Sequence, residues 1–356
     1  MQYFIHEYGS EYDLDSNNKF ISFITDQSFS ADAEFFRSGR DALKAIANRY
    51  KGLFKRIMLP ALCCESMVSP FQMHGYSVLY YKLNSNLTAN INDILSKLEN
   101  SDVLMYMNYF GIQSMTDEEL KITRDLFPNL LFIEDKTHDI LSNQCNEFVP
   151  DFSICSIRKW LGIPDGGILY SKKDREIFFK KQNTLFYNKR IEAFKNKSLY
   201  LKYGDIEIKE LFRNQLSEAN ECLENDDAVV GISNYSYELL KSMDFGKIKA
   251  ARLKNINILS SKIINTKKIK QLDSFSIDKV SLYYPVIVND RNLMQNVLAK
   301  NGVYCPVIWP LPEQAGRVCS VADEISEKML AVPCDQRYSI SDMGYIANVI
   351  NRVFGE

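Results

Sequence analysis

Asp135 and Lys159 are the residues whose types and placement best suit covalent chemistry in this sequence. Both stand within the stretch from Asn129 to Ser171, which holds three short apolar runs, Leu130 to Ile133, Phe152 to Ile157 and Gly167 to Tyr170. Each run is bounded by Asp, Asn, Pro or Gly, the punctuation of buried strands. Asp135 follows the first run, His138 lies further along the same segment, and Lys159 follows the second run. Ligands of open α/β sheets collect at the carboxyl ends of strands, so an acid and a lysine at two such ends can face one pocket. A lysine amine can bond covalently to an aldehyde, and a carboxylate can keep a pyridine nitrogen protonated so that its ring draws electrons. Taken singly, each residue has a plainer role open to it. An Asp after a strand often serves a turn or helix cap, and a Lys is commonly a solvated surface group.

Taken together the pair suits pyridoxal phosphate, with Lys159 as the covalent partner and Asp135 at the pyridine nitrogen. A phosphate would need its own site. Ser38-Gly39 precedes RDALKAIANRY, in which Ala42, Leu43, Ile46 and Ala47 recur at helical spacing. A helix start after a Gly offers free N–H groups and partial positive charge, and Arg40 adds a cationic fork. An ordinary capped helix, with Ser38 as N-cap, accounts for the same residues. Asn108 ends a strand near Asp135, Ser156 can reach a phosphate or cap its strand, and His138 can lie against the cofactor or act as a structural hydrogen-bonder.

At these residues the chain resembles fold type I pyridoxal phosphate enzymes, and among them the DegT/DnrJ/EryC1/StrS sugar aminotransferases. The resemblance rests on Asp135 to His138, on Ser156 with Lys159, and on Gly166-Gly167. It extends to Ser38-Gly39-Arg40-Asp41-Ala42-Leu43 as a phosphate loop, Leu59-Pro60 as a strand end, and Asn108-Tyr109-Phe110-Gly111 as a turn. Arg40 departs from the usual Thr or Ser, Cys63-Cys64 fall where a ring-stacking aromatic is common, and Ser156 lies nearer the lysine than is typical. The resemblance implies cofactor contacts from Gly39, Arg40, Cys64, Asn108, Asp135, His138, Ser156 and Lys159. It also implies one from Asn234, within Ile232 to Ser236, toward the phosphate of a neighbouring subunit. It further implies an amino acid donor, glutamate in this family, a nucleotide-linked keto-sugar acceptor for surface polysaccharide, and a homodimer with shared sites. A sugar dehydratase of the family would carry His in place of Lys159. A lyase or decarboxylase of the fold would share both residues, and a catalytically silent binding protein of the fold is the remaining alternative.

The elements that must position these groups follow from periodicity. Arg56 to Leu59, Tyr76 to Tyr81 and Val103 to Met107 read as strands, with helices at Ser66 to His74 and Ile91 to Leu98. Thr116-Asp117-Glu118-Glu119 forms a capping box for a helix that Pro128 stops. Strands alternating with helices predict an α/β fold, a mostly parallel sheet of the seven-stranded type flanked by helices. The expected division is an N-terminal segment over 1–34, with Phe20, Ile21, Phe23 and Ile24 alternating, a large domain over 35–245 and a smaller C-terminal α/β domain over 246–356. Residues 172–225 read as solvated helix. Val280 to Val288, Val303 to Trp309 and Leu330 to Pro333 read as strands, Arg291 to Asn301 and Met343 to Phe354 as helices, and Trp309, Arg317 and Arg337 are candidates to meet substrate.

Bulk composition bounds the partners. With 43 basic and 45 acidic residues the net charge is −2, too balanced for nucleic-acid or polybasic membrane binding. No apolar run approaches the ~20 residues that span a bilayer, and the acidic start MQYFIHEYGSEYDLDS lacks signal-peptide features. The 8 cysteines, Cys145 among them, are scattered without a C-x-x-C pair. They fit neither disulfides nor a metal site and predict a reduced, cytoplasmic protein of small-molecule substrates.

Overall fold

Strand and helix alternate from Ala33 onward in the computed structural model, which describes residues 6–22, 32–100, 102–142, 147–172 and 178–354. In chain order these are β1 (Ala33–Phe36), α1 (Gly39–Arg49), β2 (Arg56–Pro60), α2 (Glu65–Gln72), β3 (Ser77–Tyr81), α3 (Ile91–Lys97), β4 (Asp102–Met107), α4 (Asp117–Leu126), β5 (Leu131–Asp135), β6 (Phe152–Cys155) and β7 (Gly167–Ser171). They build a 7-stranded sheet of order β1-β7-β6-β5-β4-β2-β3. Strands β3, β2, β4, β5 and β6 run parallel, and β7 pairs antiparallel with both β6 and β1. The central strands read as continuous apolar runs because helices cover both faces; all of β4 and β5 is buried.

Local signals set the helix starts. Ser38 caps α1 by accepting from the Asp41 amide, and Thr116 with Glu119 completes the capping box of α4. Asp41 is wholly buried and receives the Ser38 hydroxyl at 2.6 Å and two Arg37 nitrogens at 3.0 and 2.8 Å, so the α1 start is braced by charge-assisted bonds.

Beyond the sheet, α5 (Leu185–Tyr203) and α6 (Ile206–Asn225) form a helical hairpin, then come α7 (Asn234–Lys241) and α8 (Phe245–Lys262). The remainder is β8 (Ile269–Gln271), β9 (Tyr284–Val288), α9 (Arg291–Lys300), α10 (Glu313–Val318), α11 (Ser320–Lys328), β10 (Met329–Val332) and α12 (Ile340–Phe354). Strands β10, β9 and β8 form an antiparallel sheet whose core joins Leu259, Val286, Leu330 and Ile346 with Tyr8 from the N-terminal segment. Ala315, Ala322 and Ile325, by contrast, pack into the core of the large sheet. No helix among the described residues is long and apolar enough to cross a membrane.

Three expectations need adjustment. Val303 to Trp309 forms no strand: Val303 makes a single bridge to Tyr8, and the rest of the segment is irregular. The strand expected at Val280 starts only at Tyr284, and α7, β8, α10 and α11 had no reading in the sequence. The expected edge segment contributes only its last residues to β1, so the boundary placed after residue 34 falls inside that strand; Phe23, Ile24 and Cys145 lie outside the described residues.

Gly167, the first residue of β7, lies against the α1 start so closely that a Cβ there would stand 2.3 Å from the Ser38 carbonyl carbon. Gly167→Ala should therefore lower unfolding free energy by about 3 kcal/mol, the upper part of ordinary overpacking costs. Urea unfolding measures it, and a loss under about 0.5 kcal/mol, the scatter of neutral surface changes, would show that the Ser38 turn can withdraw.

Candidate active site

Parallel pairing puts Met107, Asp135 and Ile154 side by side across β4, β5 and β6. Successive residues of a strand point to opposite faces, so this row faces one way while Tyr106, Glu134 and Ser153 face the other. A cavity of about 460 Å³ opens beyond the first row. Its walls include Ser38, Gly39 and Arg40 from the α1 start, Cys64, Glu65, Ser66 and Met67 after β2, Asp135, Thr137, Ser156, Arg158, Lys159 and Trp309. Helix α6 adds Asn220, Leu223 and Glu224.

Thr137 knits the acid and the lysine together. Its amide donates to the Asp135 carboxylate at 2.7 Å, its hydroxyl accepts from the Ser156 amide at 3.1 Å, and its carbonyl accepts from the Trp160 indole at 2.7 Å. Burial raises the Asp135 pKa, and the Thr137 bonds and the Lys159 charge oppose that rise. Lys159 ends a short 3-10 turn that starts just after Ser156, and its backbone N–H donates to the Ser156 carbonyl at 3.1 Å.

At the other end of the cavity the Gly39 and Arg40 amides stand in the first helical turn, where no intrahelical acceptor exists. Gly39 lies so near Ser156 that a Cβ would come within 3.3 Å of the Ser156 Cβ. The Arg40 Nε is buried with no partner, and a terminal nitrogen is 3.8 Å from Glu224. Cys64 does line the cavity, with Sγ 2.8 Å from the Ser66 hydroxyl.

Two residues expected at the site lie off its wall. Asn108 follows the row of Tyr106 and Glu134 to the opposite face, donating to Glu134 at 3.1 Å and accepting from the Ser114 amide at 3.2 Å. His138 is buried between aromatic rings, 4.9 Å from Phe110 and 5.3 Å from Trp309, its Nδ1 without a partner; burial above all, and then the Lys159 charge, hold it neutral. Trp309, which stacks on it, is the ring that reaches the cavity. Asn234 begins α7, exposed and away from the cavity of its own chain. Arg317 is an exposed partner of Glu313, and Arg337 is bound to Asp335 and to the Ser10 and Glu11 carbonyls. Thr137 went unread although Asp-x-Thr after a strand signals a side-chain turn. Nothing local marks Asn220 or Glu224, which tertiary packing alone brings in.

No protein-family model matches the chain, and no curated protein matches it. Solved structures do. Spr1654 of Streptococcus pneumoniae, described as a sugar aminotransferase and solved in its PMP form, superimposes with a TM-score of 0.69 at 13% identity, covering 99% of this chain and 98% of its own. Helicobacter pylori PseC, an aminotransferase involved in the biosynthesis of pseudoaminic acid, gives 0.63 at 14% identity over 98% and 100%. A DegT DnrJ EryC1 StrS aminotransferase from Brucella abortus gives 0.61 at 14% over 91% and 86%. At such identities the likeness establishes the fold, fold type I with its mostly parallel seven-stranded sheet, as the sequence predicted.

Beside the site, Asp139 is wholly buried, and burial pushes its pKa up to about 7. A carboxyl raised in the folded state binds more protons than in the unfolded chain between the two pKa values, so stability falls as pH rises from about 4 toward 7. Asp139→Asn should remove that part of the slope and gain on the wild type at pH 8, by at most about 4 kcal/mol for a shift of this size. Chemical unfolding at pH 4.5 and pH 8 measures it; parallel stability curves would refute the assignment.

Proposed function

We propose that this chain is a pyridoxal phosphate-dependent aminotransferase of the DegT/DnrJ/EryC1/StrS type, and the observation that carries it is one cavity walled by both Asp135 and Lys159. The cavity's residues fit the cofactor's three demands. Asp135 is an acid buried at a strand end, Lys159 makes no side-chain hydrogen bond among the described residues, and the anion cup of Gly39, Arg40 and Ser156 holds an orphaned buried Nε. When bound, the cofactor supplies an aldehyde for the amine and a ring that acidifies the carbon bearing the amino group.

The chain's own residues do the rest. Asp135, fixed by Thr137, holds a proton at the ring nitrogen. Lys159 in its free-amine form takes a proton from the donor carbon and returns one to the neighbouring position. His138 does not compete for that role, since it lies off the cavity wall. Gly39, Arg40 and Ser156 orient the phosphate, and Trp309 with Cys64 bounds the ring space where the family often places an aromatic.

A sugar acceptor is supported by neighbours described as sugar aminotransferases. On this reading the donor is glutamate, the acceptor a nucleotide-linked keto-sugar for surface polysaccharide, and the working unit a twofold homodimer in the cytoplasm. The exposed position of Asn234 at the α7 start leaves it free to serve a neighbouring subunit.

Incubation with pyridoxal phosphate should turn the purified protein yellow, and borohydride should then fix the cofactor's mass on the peptide carrying Lys159. Lys159→Ala should lose that adduct. Asp135→Ala should keep it while turnover with glutamate falls by roughly 10³-fold, the scale of losing one electrostatic partner of the reacting group. A protein that stays colourless would end this reading.

A further inference from the structure

A second cavity of about 180 Å³ lies on the other side of Lys159, and Arg158 and Lys159 line both cavities. Its two acids are already matched. Asp335 receives two bonds of 2.8 Å from Arg337, and Glu11 lies 3.1 Å from Arg190. Two cations are left without an ion pair among the described residues. Arg252 is fully buried yet donates only to uncharged acceptors: Gln336 at 2.8 Å, the Ser281, Leu282 and Trp160 carbonyls at 3.2, 3.1 and 3.4 Å, and the Tyr12 hydroxyl at 3.4 Å. The Arg158 side chain makes no hydrogen bond among the described residues, and its Nε is buried without a partner. Burial beside Arg190 pulls its pKa down to about 10, although Glu11 and Asp165 oppose the fall.

Buried charge of one sign is costly unless an opposite charge joins it. The guanidinium fork of Arg158 matches the two oxygens of a carboxylate. Tyr283, also on the wall, has a hydroxyl in no hydrogen bond among the described residues and can donate to the same group. The volume admits an amino acid's carboxylate end but not a nucleotide-linked sugar, which must use the larger cavity.

We propose that this smaller cavity is a carboxylate subsite, in which Arg158 and Tyr283 hold the carboxylate of the amino acid donor, or of its 2-oxo acid product, beside Lys159. The donor's identity rests on the aminotransferase reading; the carboxylate site rests on the cavity alone.

Glutarate, a dicarboxylate with no amine or ketone to react, is the probe. Its binding is measured by calorimetry on the full chain as purified and again after incubation with pyridoxal phosphate. Glutarate should bind the wild type, weaken about thirty-fold in Arg158→Gln and about five-fold in Tyr283→Phe, the range for losing a charged and a neutral hydrogen bond. Pyridoxal phosphate affinity should stay within about three-fold of wild type in the isosteric Tyr283→Phe. Unchanged glutarate binding in both variants would overturn the proposal. So would an Arg158→Gln protein that loses the cofactor and keeps glutarate, which would place Arg158 in the phosphate cup. Inorganic phosphate displacing glutarate at equal concentration would make the cavity a general anion site and overturn it too. Glutarate binding with the expected variant pattern on a chain that takes up no cofactor would uphold the subsite and sink the aminotransferase reading instead.

Discussion

The hydrogen bonds of Thr137 are the constraint on which the site depends. One residue donates its amide N–H to the Asp135 carboxylate, while its hydroxyl accepts from the Ser156 amide after β6 and its carbonyl accepts from the Trp160 indole beside Lys159. Neighbouring parallel strands are already held at a fixed spacing by their ladder. Thr137 carries that order past the strand ends, into the loops where the acid and the amine sit. Hydrogen bonds to a carboxylate favour its charged form, so the same contacts that fix geometry also oppose the rise in the Asp135 pKa that burial imposes.

The rest of the cavity is an unequal distribution of charge. Asp41 at the α1 start is fully matched by Arg37 and Ser38, so that helix end spends its side-chain bonding on structure. The cationic groups left over, Arg40 and Arg158, carry buried nitrogens with no partner. A folded chain tolerates such orphans at a cost of a few kcal/mol each, and that cost falls when an anion arrives. Affinity for phosphate or carboxylate groups is thus built into the folded state as unmet hydrogen bonding.

The strand ends were legible because they depend on local signals: apolar runs, the punctuation after them, and capping residues such as Ser38 and Thr116. Asp135 was legible for the same reason, since a residue at a strand's carboxyl end inherits its place from the strand, and Lys159 follows β6 by one short turn. Asn108 shows where this logic stops. It too ends a strand, yet the pleat sends it to the face of Glu134 rather than of Asp135, and the frame of that alternation is set by cross-strand register. His138 was misplaced because a turn's direction depends on what packs over it, here Trp309 from a segment far along the chain. That segment read as a strand from its apolar residues, but it has no neighbouring strand to pair with beyond the Tyr8 bridge. The α6 residues were illegible in principle, since a helix with a polar face does not announce which part of that face meets a cavity.

Rigidity at Lys159 has a separate source, and it explains why distant segments are needed to make one amine useful. The Trp160 carbonyl accepts from the Tyr12 hydroxyl at 3.0 Å and from the Gln336 side chain at 2.7 Å, while the Arg252 guanidinium lies 4.4 Å from the centre of the Trp160 ring. An early segment, α8 and the loop after β10 therefore grip the residue that follows the lysine. The Lys159 backbone is thereby fixed while its four-carbon stem keeps its torsional freedom. A group that must bond one partner, release it and then move a proton between neighbouring positions needs that combination, because catalytic reach comes from the side chain and alignment from the backbone. The smaller cavity follows from the same grip: Tyr12 and Arg252 wall it while they hold Trp160, so the contacts that anchor the amine also shape the space beside it.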